Sequence, residues 1–221
     1  MDFLRWTRAL RAGGRLAGAL VLAAAAAGPG CAKVDEPRDR MLFGGKDLTG
    51  WQVLKEIYYD RAGKVYVQDG QLVLSAGDDL TGVRWAGEFP KDGFEISLEA
   101  RRIRGDDFFC GMTFPIAGGH GTLIVGGWGG SVVGISNVDT YPADENDTTT
   151  CLEFERGRWY RIEVVVADGR LDVWIDHKKV IELETGGRKF DVWPQQEDVR
   201  PFGITTWRTT GALRNIALRR R

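Results

Sequence analysis

The sequence predicts an all-β domain, a sandwich or barrel of packed strand layers, and three observations carry that reading. From Met41 onward apolar and polar residues alternate in short runs. Gly, Asp and Asn divide those runs at intervals of roughly 8 to 12 residues, and no convincing stretch keeps a helical period.

Strands are expected at Trp51–Lys55, Lys64–Gln68 and Gln71–Ser75, the last two joined by the turn dipeptide Asp69-Gly70. Phe94, Ile96, Leu98 and Ala100 alternate with Glu95, Ser97, Glu99 and Arg101, the pattern of a strand with one buried face. Phe108–Phe114 is read the same way, with Phe108, Cys110, Met112 and Phe114 on one side and Phe109, Gly111 and Thr113 on the other. Gly121–Gly127 and Ser131–Asn137 are shorter, glycine-rich strands. Tyr160–Val166 and Leu171–Asp176 flank Asp168-Gly169 and form a second hairpin. Val180–Leu183, Phe202–Arg208 and Ala212–Leu218 complete the strands, and Trp193–Asp198 is the one plausible helical turn. No repeat period suggests a propeller or solenoid.

Residues 1–31 read as a targeting segment. Arg5, Arg8, Arg11 and Arg15 precede the apolar run Leu16–Ala27, which is too short to span a bilayer, and small residues then lead to Cys31. The pattern is that of a lipoprotein signal peptide with Cys31 as the lipidation site, although Gly28-Pro29-Gly30 stands where a leucine is usual. Cleavage after the alanines or a retained anchor are the alternatives. Residues 32–40 read as a polar linker and 41–221 as the domain, so the expectation is an exported, periplasmic or cell-surface lipoprotein, membrane-bound only through its anchor.

Four of the 30 basic residues and one of the 31 acidic residues precede Cys31, which leaves a net charge of about −4. The bases are scattered among acids, so nothing attracts nucleic acid. Cys110 and Cys151 are a candidate disulfide in an oxidising compartment, or two free thiols. There is no CxxC pair, no Gly-x-Ser-x-Gly elbow and no phosphate-loop lysine after Gly126–Gly130. With only His120 and His177 a three-histidine zinc site is impossible, and no metal ligand set is assigned.

LFGGKDLTGW (42–51), VQDGQLVLS (67–75), FEISLEARR (94–102), GRWYRIEVVVADGRLDVWIDHKKVIEL (157–183) and the final FGITTWRTTGALRNIALR together resemble the 3-keto-disaccharide hydrolase family. The resemblance implies a concanavalin A-like jelly roll of two antiparallel sheets with a concave face. It also implies cleavage of sugars oxidised at C3, whose ketone acidifies the C2 hydrogen so that one general base can start an elimination, followed by hydration. Most matching positions are framework, and Cys110–Asp139 departs from the family, so the catalytic assignment does not simply carry over.

The candidate base is therefore sought among the residues themselves. Asp107 follows Asp106 at a turn and is either a site carboxylate or a turn former. Asp139, Asp144, Glu145, Asn146 and Asp147 crowd one loop, which supplies the base, holds a Ca²⁺, or is solvated; its spacing fits no calcium motif, and no cofactor is otherwise expected. His120, between glycines, is a ligand-facing candidate or a plain turn residue. Trp51, Trp85 and Trp159 read as core, whereas Trp128 sits among glycines as a core cap or an exposed platform. Trp174 and Trp207 stand opposite the apolar faces of their strands, among acids and hydroxyls, a mixture that suits a sugar or that a loop covers. The expected site is thus Asp107, Asp139, Glu145 and His120 for chemistry, with Asn137, Trp128, Trp174, Trp207 and Arg208 contacting carbohydrate. A carbohydrate-binding module without catalysis, or an interaction module with no small ligand, are the alternatives.

Overall fold

The computed structural model describes residues 39–221; the signal peptide, Cys31 and most of the linker lie outside the described residues. In chain order the strands are β1 (Arg40–Phe43), β2 (Trp51–Val53), β3 (Val65–Gln68), β4 (Gln71–Leu74) and β5 (Leu80–Trp85). The long β6 (Phe94–Arg104) precedes β7 (Cys110–Ile116), β8 (Gly119–Gly127), β9 (Val132–Ser136) and the two-residue β10 (Thr150–Cys151). A meander of β11 (Tyr160–Ala167), β12 (Arg170–Ile175) and β13 (Lys178–Glu184) follows, then β14 (Gly203–Trp207) and β15 (Thr210–Arg220). Ile57–Tyr59 and Pro194–Val199 are 3₁₀ turns, the second close to the expected helical turn.

The strands form two antiparallel sheets stacked as a jelly roll. The first runs β13-β12-β11-β6-β15-β4-β3 with β1 also paired to β15, and the second runs β10-β9-β8-β7-β14-β5-β2. Neighbours such as β6 and β15 or β7 and β14 are far apart in sequence, so the sheets close only when distant segments meet. Both Asp-Gly hairpins have the left-handed pair of residues that a tight primed turn requires: Asp69 at φ +51° with Gly70 at +75°, and Asp168 at +54° with Gly169 at +71°.

Between the sheets the inward rows meet. Phe94, Ile96, Leu98 and Ala100 of β6 pack with Cys110, Met112 and Phe114 of β7 and Leu123 and Val125 of β8. Each large side chain so buried contributes about 1.5–3 kcal/mol of apolar transfer. Trp51 and Trp85 join them edge to face at 5.4 Å, as expected of core tryptophans. Trp159 does not; it lies against Arg101 and Arg214, whose guanidinium carbons are 4.6 and 4.3 Å from its ring centre.

Two further expectations are corrected. The regular strand starts at Cys110, not Phe108, and Asp106-Asp107 turns the chain before it. Phe109 therefore packs inward against Phe154 and Tyr160, while Phe108 joins a smaller apolar cluster on the outer face of the second sheet. Cys110 and Cys151 are both free. Cys110 pairs across β8 and β9 toward β10, three strand spacings or ~14 Å from Cys151, beyond disulfide reach. Burial pushes the Cys110 thiol up to about 12, whereas Cys151 is exposed. Of these two, only Cys151 is therefore expected to react with a thiol reagent in the native domain; native labelling of Cys110, or a fall in melting temperature on adding reductant, would contradict this arrangement.

Candidate functional site

The outer face of the second sheet is not a bare polar surface. Residues 54–62 and 193–200 fold across it, and Leu54, Tyr59, Leu80, Phe108, Ile124, Ala143 and Val199 form the second apolar cluster there. This explains why β7, β8 and β9 are buried on both faces. It also explains Gly82 in the middle of β5, a strand not anticipated from sequence: a Cβ there would meet Thr205 at 2.8 Å and Tyr59 at 3.1 Å.

The covering segments leave a cavity of about 350 Å³, within the range of small-molecule sites. Its floor is Thr122 and Ile124 of β8 and Ser136 of β9, and Trp207 of β14 and Leu80 of β5 wall one side. Trp193, Gln195 and Gln196 come from the crossing segment, and Asp107, Phe108 and Trp128 from the turns at the strand ends. Three indole rings and one carboxylate thus face a single hollow.

The crossing segment is pinned from three sides. Tyr59 Oη donates to Gln195 O at 2.8 Å, Gln196 Nε2 to Thr205 Oγ1 at 3.2 Å, and Trp193 Nε1 to Ser136 Oγ at 3.0 Å. Burial raises the Tyr59 phenol well above its ordinary range, so the hydroxyl remains a donor at neutral pH. Beneath them Thr113 and Thr122 share a buried hydroxyl hydrogen bond of 2.8 Å, which satisfies the polar floor internally.

Trp128 occupies the left-handed region at φ +46°, a conformation that costs a tryptophan about 1–2 kcal/mol. Its turn is closed by the amides of Gly130 and Ser131, both donating to Gly127 O at 3.1 Å. The turn thereby directs the amides of Trp128 and Gly129 at the Asp107 carboxylate, whose Oδ1 also accepts from Phe108 N at 2.7 Å. Burial raises the Asp107 carboxyl above its ordinary value, outweighing the amides that lower it. Asp107 N donates to Thr209 Oγ1 at 3.1 Å, which fixes the residue from the β14–β15 side. Among the described residues Asp107 is the one ionisable group lining the cavity.

The other expected site residues lie elsewhere. Asp139 and Asp147 both grip Arg188, with Arg188 Nε donating to Asp139 Oδ2 at 2.6 Å and Nη1 to Asp147 Oδ2 at 2.8 Å. The Lys189 amide and the Arg188 hydrogen bond tie this loop to the chain after β13 and hold the Asp139 carboxyl below its ordinary range, and Asp139 does not line the cavity. Glu145 is exposed on that loop and away from the lining. His120 lies on the same face of β8 as Thr122 but outside the lining; burial and nearby Arg200 lower its pKa. Asn137 accepts from Ser136 Oγ at 3.0 Å without lining the cavity itself. Trp174 is in the first sheet, with Lys179 Nζ 5.1 Å from its ring centre, so it cannot share a site with Trp207. Arg208 is spent on Asp79 at 2.8 Å and stacks on Trp207 at 5.3 Å. Among the described residues no group of three acids, histidines or cysteines is placed to hold a metal ion.

Trp193, Gln195 and Gln196 were absent from the expected site. The available signal was a tryptophan before proline in a stretch with no alternating pattern to bury it.

A family model described as the 3-keto-alpha-glucoside-1,2-lyase-like domain matches residues 39–219. The chain belongs to that family. This bears out the resemblance read from the framework residues, together with the jelly-roll fold it implied. No curated protein matches it. Among solved structures it is similar to a protein from Parabacteroides distasonis ATCC 8503 assigned as a glycosyl hydrolase, at 14% identity over 83% of this chain and 94% of that one, with a TM-score of 0.55. It is also similar to the Crh5 transglycosylase in complex with NAG, at 11% identity over 83% of each chain and a TM-score of 0.55. A third, SCLam, a non-specific endo-beta-1,3(4)-glucanase, has 10% identity over 84% of this chain and 95% of that one, with a TM-score of 0.52. At such identities the likeness speaks for the fold alone.

Proposed function

We propose that this domain cleaves glycosides oxidised to a ketone at C3, with Asp107 as the general base. The observation that carries the reading is the cavity that joins one partly buried carboxylate to three tryptophans. Indole faces suit the C–H side of a pyranose ring, and the half-buried Gln195 offers its side-chain amide to the ring oxygens. A single carboxylate matches elimination, which does not need the paired acids of ordinary glycosidases. The C2 proton passes to Asp107, and the electron pair is held through the C3 ketone until it forms the C1=C2 bond as the C1–O bond breaks. The departing oxygen takes a proton from water, Asp107 returns its own proton to solvent, and water then adds across the double bond. Burial, which raises the carboxyl, makes Asp107 a stronger base than a solvated aspartate.

A second reading is a carbohydrate-binding module without turnover. It is favoured by the Phe108 amide, which already donates to the Asp107 carboxylate at 2.7 Å. Export as a lipoprotein through Cys31 is part of either proposal.

The test is release of methanol from methyl 3-keto-α-glucoside, with methyl α-glucoside as the unoxidised control. Release from the oxidised compound alone is expected; calorimetric binding without release would select the second reading. Under both, Trp128→Ala weakens sugar binding about tenfold through loss of one ring face, and unchanged affinity would remove the cavity from consideration.

A further inference from the structure

The segment that roofs the cavity spends nearly all of its polar side chains on other parts of the protein. Trp193 Nε1 donates to Ser136 Oγ at 3.0 Å, Gln196 Nε2 donates to Thr205 Oγ1 at 3.2 Å, and Glu197 pairs with Arg200. Gln195 differs. Its main chain is held, because its carbonyl accepts from Tyr59 Oη at 2.8 Å, but its side-chain amide has no hydrogen-bond partner among the described residues. It is half-buried and lines the cavity. A fixed backbone thus carries an unspent amide beside the hollow that holds Asp107.

The other side-chain donors of the lining are poorly placed to serve a ligand. The hydroxyls of Thr122 and Ser136 sit on the floor, each residue 1% exposed, and are hydrogen-bonded to Thr113 and Asn137. Trp193 Nε1 is already committed to Ser136. The N–H groups of Trp128 and Trp207 lie in their ring planes, so an indole whose face stacks on a sugar aims its N–H past that sugar. By this accounting Gln195 is the donor left for an oxygen of a ring held between the indoles.

Removal of the C2 proton places charge on the C3 oxygen, and that charge needs a donor. We infer that the Gln195 side-chain amide is a second catalytic group of this site, donating to the C3 oxygen and stabilising the enolate; the inference rests on the reading of Asp107 as the base. The C2–H bond breaks, its proton goes to Asp107, and its electron pair moves onto the C3 oxygen. The amide holds that oxygen through a hydrogen bond and transfers no proton. The pair then returns to form C1=C2 as the C1–O bond breaks. An enolate oxygen accepts far more strongly than a ketone oxygen, so the bond strengthens in the transition state and raises kcat more than affinity. A donor whose main chain is already fixed needs little reorganisation to act. Being neutral at every pH, it leaves the ionisation of Asp107 alone.

Gln195→Met tests this, because it keeps the length of the side chain and removes the N–H. With methyl 3-keto-α-glucoside, kcat is expected to fall about 10²-fold, the cost of one lost oxyanion donor. KM should stay within about threefold of native, the pattern of an interaction made in the transition state. The midpoint of the acid limb of kcat/KM should not move, and the rate ratio between substrates carrying hydrogen and deuterium at C2 should equal or exceed the native ratio. A structural disturbance would not give that combination. Gln195→Glu, which keeps the shape of glutamine, covers the case in which methionine disturbs the roof, and it should lose at least as much. A kcat within about threefold of native in both variants, or a loss confined to KM, overturns the assignment and leaves Asp107 as the base. A native chain that releases no methanol from this substrate overturns the lyase reading and the role of Gln195 with it.

Discussion

Asp107→Asn is expected to reduce turnover of a 3-keto-glycoside about 10³-fold, the usual cost of removing a general base, while the protein stays folded and binds sugar. Asparagine preserves the shape and keeps an oxygen for the amide of Phe108, so the loss isolates proton transfer. The pH dependence follows from burial. Because the folded state raises the Asp107 carboxyl, it binds that proton more tightly than the unfolded chain does. The associated stability is present below the unfolded carboxylate pKa and is lost as pH rises through the folded pKa. At neutral pH the ionised group therefore costs stability, and Asp107→Asn should melt no lower than the native protein, with any advantage vanishing in acid. Native kcat/KM should fall on the acid side with a midpoint above the ordinary aspartate value of 3.8. A variant that keeps its activity, or an inactive one that melts much lower, would remove Asp107 as the base.

The second large effect concerns Arg102, which is nearly buried on β6. Its Nη1 donates to Gly130 O at 3.3 Å, its Nη2 donates to Phe154 O at 2.8 Å, and its guanidinium lies 5.7 Å from the Phe109 ring centre. One side chain thus ties the turn that carries Trp128 to the chain before β11. Arg102→Ala leaves both carbonyls without this donor and opens a void under the turn, which should cost about 3 kcal/mol of unfolding free energy. Arg102→Lys, with a point charge in place of the fork, should recover only part of it. Urea unfolding measures both, and a loss under about 1 kcal/mol in the alanine variant would show that the turn stands without Arg102. The alanine variant should also weaken sugar binding, because the same turn orients Trp128 and two of the amides facing Asp107.

How much of this was legible in the sequence depended on range. Alternation over four or more residues and the Asp-Gly pairs are local signals, so β6, β11, β12 and both hairpins follow from the residues with little error. The strand through Leu80–Trp85 escaped notice because Gly82 interrupts its pattern, and the reason for that glycine is contact with Tyr59 and Thr205 from other segments. Phe108 and Phe109 exchanged faces because alternation does not reveal where a turn ends and a strand begins.

For the site, Asp107, Trp128 and Trp207 were nameable from turn position, flanking glycines and the polar face of a strand. Trp174 carried the same signal as Trp207, and only strand order separates them, since period-two patterning marks the outside of a sheet without saying which sheet. Asp139 and Glu145 were misleading for a related reason: an acidic loop reads alike whether it faces a ligand or, like Asp139 and Asp147, closes on a distant arginine. By itself the sequence determined the layered strands, the family framework and the carboxylate at the turn, because backbone alternation and turn chemistry act between near neighbours. Which tryptophans share a hollow, that the outer face is roofed by residues 193–200, and that Cys110 and Cys151 stay apart were decided by sheet pairing, because that pairing sets distances between segments remote along the chain.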